Sequence, residues 1–264
     1  MENLPYWQKQ EPGKPLFPDI EWSKPEQRSR SGKLGIIGGN QLGFAGLSDS
    51  YSFALKSGIG EIKMLLPDNL KSKLNQLSSD IIYGKSNPSG GLGQNSISEF
   101  RSLGDWADSL LFIGDCGKNS ETAILYEKFV TEYEKPITIT RDAIDLLVNS
   151  FSTIVNKSNV LLVASFPQIQ KLFQAVYYPK VLTFSMQLTN LIEALHKFTI
   201  TYPIKIAVYQ HENMILAIDG KVITTASSNP MDIWRGKTAS KASVYWTWNQ
   251  AKPLEAIATS FVSN

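Results

Sequence analysis

The feature that most limits this chain's fold is a rhythm of short apolar runs, each closed by glycine or proline and followed by a segment of helical period. Lys33-Leu34-Gly35-Ile36-Ile37 runs into Gly38-Gly39-Asn40, Ile62-Lys63-Met64-Leu65-Leu66 stops at Pro67, and Leu110-Leu111-Phe112-Ile113 stops at Gly114. Pro136-Ile137-Thr138-Ile139 and residues 159–163 continue the series. Short apolar runs bounded by turn residues read as buried strands. Helices are predicted between them over 44–57, near 69–77, near 98–108, over 120–133 and over 141–155, then near 167–176 and 183–199, with a Gly/Ser/Asn-rich loop over 84–95. Strands alternating with helices at this spacing specify a parallel sheet covered on both faces. The rhythm breaks once. Met214-Ile215-Leu216-Ala217 and Val222-Ile223-Thr224-Thr225 flank Asp219-Gly220, and Asp-Gly between two apolar runs is a strong hairpin signal. The expected fold class is therefore α/β, a three-layer α/β/α sandwich with a mainly parallel sheet and a late antiparallel hairpin.

A chain of 264 residues can bury a substantial core. Its 26 Lys+Arg against 24 Asp+Glu leave a net charge of +2, so the basic field of a general nucleic-acid binder is missing. One cysteine, Cys116, cannot close an internal disulfide, and with two histidines it argues against a His/Cys zinc site. The polar, proline-rich start lacks the apolar core of a secretory signal, and no run approaches the ~20 apolar residues of a membrane span. A cytoplasmic protein without membrane partner is the expectation.

Residues 1–31 are set apart from the 32–264 domain. Pro5, Pro12, Pro15, Pro18 and Pro25 are too dense for a continuous helix, while Tyr6, Trp7, Phe17 and Trp22 are more aromatic than disordered segments usually are. The reading is an ordered arm without regular structure, its aromatics packed on the body or on a neighbouring subunit of a homo-oligomer.

Ligands bind such sheets at the C-terminal ends of strands, where Gly38-Gly39-Asn40 and Gly114-Asp115-Cys116-Gly117 lie. Neither turn has the spacing of a dinucleotide or phosphate loop, so ordinary strand-to-helix geometry and a ligand cradle both stay open. The segment from Ser228-Asn229-Pro230 to Arg235-Gly236-Lys237-Thr238-Ala239-Ser240-Lys241 leads a turn into a helix start, with Thr238 or Ser240 as candidate cap. Arg235 and Lys237 at that end suit a phosphate, or are simply solvated.

Several of these segments, in this order, resemble the ribokinase-like NAD(P)H-hydrate dehydratases, a carbohydrate kinase-related family, over about residues 32–262. Gly38-Gly39-Asn40 is similar to the family's Gly-Gly-Ser, and Ala54-Leu55-Lys56-Ser57-Gly58-Ile59-Gly60 to its Ala-Leu-Arg-x-Gly-Ala-Gly. Ile113-Gly114-Asp115-Cys116-Gly117 resembles its Gly-Pro-Gly-Leu-Gly turn shortened by one residue. Pro136-Ile137-Thr138-Ile139-Thr140-Arg141-Asp142-Ala143-Ile144 resembles its Pro-Leu-Val-Leu-Asp-Ala-Asp-Ala-Leu. The resemblance implies a ribokinase-like fold, a small-molecule nucleotide partner (ADP or ATP, with Mg2+) and hydrated NAD(P)H as substrate; an active chain would be a hydro-lyase. It places cofactor-binding positions at Gly39, Asn40, Gly46, Gly117, Ser165, Gly236, Lys237, Thr238 and Ala239. The nucleotide loop falls on Gln210, His211, Glu212, Asn213 and Met214.

The departures bear on chemistry. The family's Gly-Thr-Gly-Asp falls on Lys237-Thr238-Ala239-Ser240, so its catalytic Asp becomes Ser240, and serine is no base near neutral pH unless activated. Its His-Pro-Gly-Glu falls on Ser165-Phe166-Pro167-Gln168, its Lys-Gly nucleotide loop on Gln210-His211, and the first Asp of its Asp-x-Asp on Thr140, with Asp142 kept; Asp142 and Asp232 are the candidate substitute bases. The expectation is a catalytically weak or inactive dehydratase-like protein. The alternatives are a nucleotide- or phosphate-binding pseudoenzyme, or a structural or assembly protein. One pocket is expected among Gly39, Asn40, Gly46, Gly117, Asp142, Ser165, Gln210 and the 236–240 turn.

Overall fold

The fold, taken from a computed structural model, is described for residues 4–74, 80–227 and 229–263. Its strands are β1 (Trp7–Gln10), β2 (Lys33–Gly38), β3 (Glu61–Pro67), β4 (Ile81–Gly84), β5 (Ser109–Gly114), β6 (Ile137–Thr140), β7 (Val160–Ser165), β8 (Lys205–Gln210), β9 (Asn213–Ile218) and β10 (Lys221–Ala226). They form one sheet in the order β1-β10-β9-β8-β7-β6-β5-β2-β3-β4. Only β9 runs against its neighbours, pairing antiparallel with β8 and β10; every other pairing is parallel.

The helices are α1 (Pro18–Trp22), α2 (Ala45–Ser57), α3 (Ile97–Trp106), α4 (Ser120–Glu132), α5 (Asp142–Leu146), α6 (Phe151–Ile154), α7 (Phe166–Ala175), α8 (Leu188–Thr201), α9 (Met231–Trp234), α10 (Lys237–Trp248) and α11 (Pro253–Ser260). Alternate strand residues point to opposite faces, and neighbours in sequence accordingly enter two different cores. Ile37, Phe112, Leu162 and Val208 pack with Phe100, Tyr126, Leu172 and Phe198 of α3, α4, α7 and α8. Ile36, Leu111, Leu161 and Ala207 pack with Leu47, Val244 and Ile257 of α2, α10 and α11. The sheet is thus the middle layer of an α/β/α sandwich, which is why its central strands are apolar on both sides.

Three expectations need correction. The arm has regular structure: β1 extends the sheet beside β10, α1 follows, and a 3-10 turn covers Arg28–Arg30. Only four residues are needed, because an edge strand can be held by backbone bonds, here helped by the Trp7 Nε1–Thr224 Oγ1 bond at 2.9 Å. The helix near 69–77 is a 3-10 turn over Asp68–Leu70, with residues 75–77 of that segment outside the described residues, as is Ser228. The helix over 141–155 is broken into α5, a 3-10 turn over Val148–Ser150 and α6. The bonds Leu147 N to Ile144 O and Ser150 N to Leu147 O tighten the chain there. Two short strands, β4 and β8, had no forecast.

Candidate functional site

The C-terminal ends of β2, β5, β6 and β7 carry Gly39, Asn40, Gly46, Gly117, Asp142 and Ser165 of the residues singled out from sequence, and the polar groups there are largely bonded to one another. Asp142, opening α5, accepts from Asp115 N at 2.8 Å and Cys116 N at 2.9 Å, so both carboxylate oxygens hold the turn after β5. That turn needs Gly114 (φ +95), because a Cβ there would overlap Asp142 Oδ1. Asp115 in turn accepts from Gly46 N at 2.7 Å in the first turn of α2, which has no side-chain cap of its own. A carboxylate is favoured at such a helix start. Arg141 donates to the other Asp115 oxygen at 2.5 Å, both side chains 18% exposed. A Cβ on Gly46 would overlap the second guanidinium nitrogen, Nη1, which is itself buried without a hydrogen-bond partner.

Arg141 holds a left-handed φ of +56 and ψ of −141, a conformation costly for a side-chain-bearing residue. Its carbonyl accepts from Gln168 Nε2 at 2.8 Å, and the same amide reaches Asp145 Oδ2 at 2.9 Å. Gln168 Oε1 accepts from Ser165 N and Oγ at the start of α7. Ser165 and Gln168 thus tie β7 to the β6 turn. Asn40 is also occupied, accepting from Leu42 N at 3.0 Å and donating to Ser89 O at 3.1 Å.

The expected single pocket is two. A cavity of about 420 Å³ is lined by Asn40, Gly117 and Asp142, with Ser89, Asp115 and Lys118. A larger one, about 970 Å³, is lined by Glu212, Met214, Lys237 and Thr238, with Lys56, Lys241, Thr225, the Pro12-Gly13 turn of the arm and the end of α11. Gly39, Gly46, Ser165, Gln210, His211, Asn213, Gly236, Ala239 and Ser240 line neither. His211 and Glu212 form the left-handed β8–β9 turn, and His211 Nε2 reaches Met186 O at 2.8 Å.

Ser240 is fully buried and donates to Gly236 O at 2.8 Å within the first turn of α10. Neither it nor Thr238 caps that helix: the N-cap is Gly236, left-handed at φ +77, with no side-chain bond to the helix start. The helix start therefore has no side-chain acceptor, and Lys237 and Thr238 of its first turn line the larger cavity. Arg235 is paired with Asp49 at 3.2 Å and Lys237 with Asp232 at 3.0 Å. Burial, and then the neighbouring Lys237, lower the pKa of Lys241, which donates to Ser263 O at 2.5 Å. Sequence reasoning gave no role to Arg141, Lys56 or Lys241. Arg141 had a signal in its place beside Asp142, Lys56 in the Ala54–Gly60 motif, and Lys241 at the end of the 228–241 segment.

Among the described residues, no helix is long and apolar enough to cross a membrane, and no group of three or more His, Cys, Asp or Glu is placed to hold a metal ion.

No protein-family model matches the chain. It is 27% identical over 123 residues to the bifunctional NAD(P)H-hydrate repair enzyme of Methanothermobacter thermautotrophicus, covering 46% of this chain and 24% of that enzyme. A ribokinase-like superfamily protein from Enterococcus faecalis superposes with a TM-score of 0.71 at 15% identity, over 99% of this chain and 88% of that one. The ADP/ATP-dependent NAD(P)H-hydrate dehydratase of Bacillus subtilis, co-crystallised with ATP and Mg2+, gives 0.62 at 10% identity, over 94% and 85%. Fold and sequence likeness agree: the chain has a ribokinase-like fold and, over part of its length, is similar in sequence to an NAD(P)H-hydrate repair enzyme.

Proposed function

We propose that this chain binds ADP or ATP in the 970 Å³ cavity and has weak or no dehydratase turnover, making it a nucleotide-binding relative of the hydrate dehydratases. The volume falls within the range of small-molecule sites. Lys56, Lys237 and Lys241 together with the α10 N-terminus supply the field a polyphosphate needs. Mg2+ typically keeps several waters and takes one or two carboxylates besides the phosphates; Glu212 and Asp232 are the carboxylates at this cavity.

The observation that carries the reading of weak turnover is the burial of Ser240. The position resembling the family's base holds a buried hydroxyl that donates to Gly236 O and lines neither cavity. Of the two substitute bases weighed from sequence, Asp142 has both oxygens engaged by backbone N–H groups, and Asp232 has its oxygens taken by Asn229 and Lys237. General bases must reach the proton they take.

Calorimetric titration with ADP and ATP, with and without Mg2+, beside an assay for loss of hydrated NADH, tests both halves. The expected result is saturable binding, weakened about tenfold in Lys241→Ala as for a charge-assisted contact, with hydrate consumed no faster than in buffer. Absence of binding overturns the nucleotide half; turnover overturns the other.

A further inference from the structure

The connection from α7 to α8 contains a residue that breaks a local rule. α7 closes with Tyr178 N bonded to Phe173 O at 2.9 Å and Tyr177 N to Gln174 O at 3.0 Å. This pair of bonds is a Schellman closure, whose turning residue is left-handed and usually glycine. Here it is Tyr177, with φ +52 and a ring 92% exposed. A bulky side chain in that region is strained, and burial of this ring offsets none of the strain. Conformations of this kind concentrate at functional sites.

A second observation lies beside it. Tyr177, Tyr178 and Tyr202, with Lys180, Glu193 and Lys197, line a cavity of about 580 Å³ whose lining also includes the buried Ala194. It shares no lining residue with the two cavities described above. Tyr178 and Tyr202 are fixed walls: their rings pack 5.0 Å and 4.9 Å from Phe198, inside the core. Glu193 is bonded to Lys197 at 2.6 Å, which leaves Lys180 as the cation without an ion-pair partner among the described residues. Val181 and Phe184, 72% and 60% exposed, continue the apolar surface along the same connection. Aromatic walls favour a flat ring, and two ammonium groups against one carboxylate favour a negative substituent.

We propose that this cavity is a second ligand site, for a planar aromatic anion whose ring lies against Tyr177, Tyr178 and Tyr202 and whose phosphate or carboxylate meets Lys180. Tyr177 is the movable wall, held outward by the closure of α7.

Naphthyl phosphate, followed by its own fluorescence, is a suitable probe, with naphthol and naphthylmethyl-trimethylammonium as neutral and cationic counterparts and naphthoate to compare carboxylate with phosphate. Saturable binding of the anions is expected, weaker for both counterparts. Tyr177→Gly should weaken it about tenfold, the effect of losing one stacking ring, while its urea midpoint stays the same or rises, because glycine suits the left-handed position. Lys180→Glu should weaken the anions and spare naphthol. The proposal is overturned by absence of saturable binding, by full binding in Tyr177→Gly, or by preference for the cation. It is also overturned by binding lost in Lys241→Ala and kept in Tyr177→Gly, which places the probe in the larger cavity. Dimerisation in sedimentation equilibrium that Tyr177→Gly abolishes would make the face a subunit contact instead, and likewise overturn it.

Discussion

Arg141 lays its guanidinium against the bare Cα of Gly46, at the start of α2, while its other end pairs with Asp115 at 2.5 Å. The helix start that the family resemblance assigns to the hydrated cofactor is thus covered by the chain's own ion pair, and the carboxylate that neutralises it is Asp115. The same pair explains the tolerated strain at Arg141. Its left-handed backbone is held by Gln168 from one side and by Asp115 from the other.

Gly46→Ala should therefore destabilise the fold by about 1–3 kcal/mol in urea unfolding, the usual range for overpacking, because Arg141 must leave Asp115. In an Arg141→Gly background the same change should cost clearly less, since the guanidinium clash is gone and only the 2.9 Å approach to Asp115 Oδ2 remains, while alanine is the better helix former. Equal costs in both backgrounds would show that the guanidinium does not occupy this space in solution.

Asp142→Asn tests whether that carboxylate serves the fold. An amide keeps one acceptor and turns an NH2 toward the second backbone N–H, losing one charge-assisted bond and leaving a donor unpaired. A loss of about 2 kcal/mol is expected. Nucleotide affinity should hold, because Asp142 does not line the larger cavity.

Ser240→Asp looks, from sequence, like the restoration of a lost base. Its burial reverses that expectation. An aspartate there would be a charge without a partner beside Gly236 O, and about 3 kcal/mol or more of stability should go, with no gain in hydrate turnover. Adding Lys237→Gly and Ala239→Gly should lower stability further, since both lie in the first turn of α10. A stable Ser240→Asp variant that consumes hydrated NADH would show instead that the α10 start opens.

The sheet was legible because its signals are local. The run Lys33–Gly38 ends in a glycine turn, and Asp219-Gly220 can hardly be anything but a hairpin. Edge strands give no such signal: Trp7–Gln10 has one apolar residue in four and is held by backbone bonds to β10. The site was harder for a related reason. That Asp142 is kept can be read from the motif, but its partners lie 27 and 26 residues away on the next strand's turn. The clash between Gly46 and Arg141 depends on the β2, β5, β6 order of strands, which fixes which turns meet. The burial of Ser240 depends on Gly236 turning left-handed, with Ile113 and Ser50 against its Cα.

Gln10 is the arm's anchor. It is 3% exposed and donates to Thr225 Oγ1 at 3.0 Å and Ala258 O at 2.7 Å, while accepting from Leu16 N at 3.0 Å. Gln10→Ala leaves these buried groups without their partner and should cost about 2 kcal/mol. Trypsin should then cut after Lys9 faster than in the unaltered chain, well before the body is degraded; Lys14 is shielded by the following Pro15. ADP or ATP should bind more weakly as well, because Pro12 and Gly13 form part of the cavity wall. Unchanged cleavage would mean that the arm is held by Trp7 and α1 alone.

Lys205 gives the clearest pH dependence. It opens β8, is 5% exposed, donates to Ser158 O and lies 5.1 Å from the Trp246 ring centroid. Burial lowers its pKa from the usual 10.5, with Asp219 opposing in part. Between the lowered value and 10.5 the unfolded chain binds more protons than the folded one, so this residue's contribution to stability rises with pH across that window. Tyr126 acts the other way: burial raises its pKa, and the unfolded state ionises first above pH 10. Comparing the native chain with Lys205→Met cancels the tyrosine effect. Urea midpoints measured up to pH 10.5 should show the native chain gaining on the variant once pH passes the lowered value. A difference that stays flat over that range would mean that Lys205 reaches water and keeps its ordinary pKa.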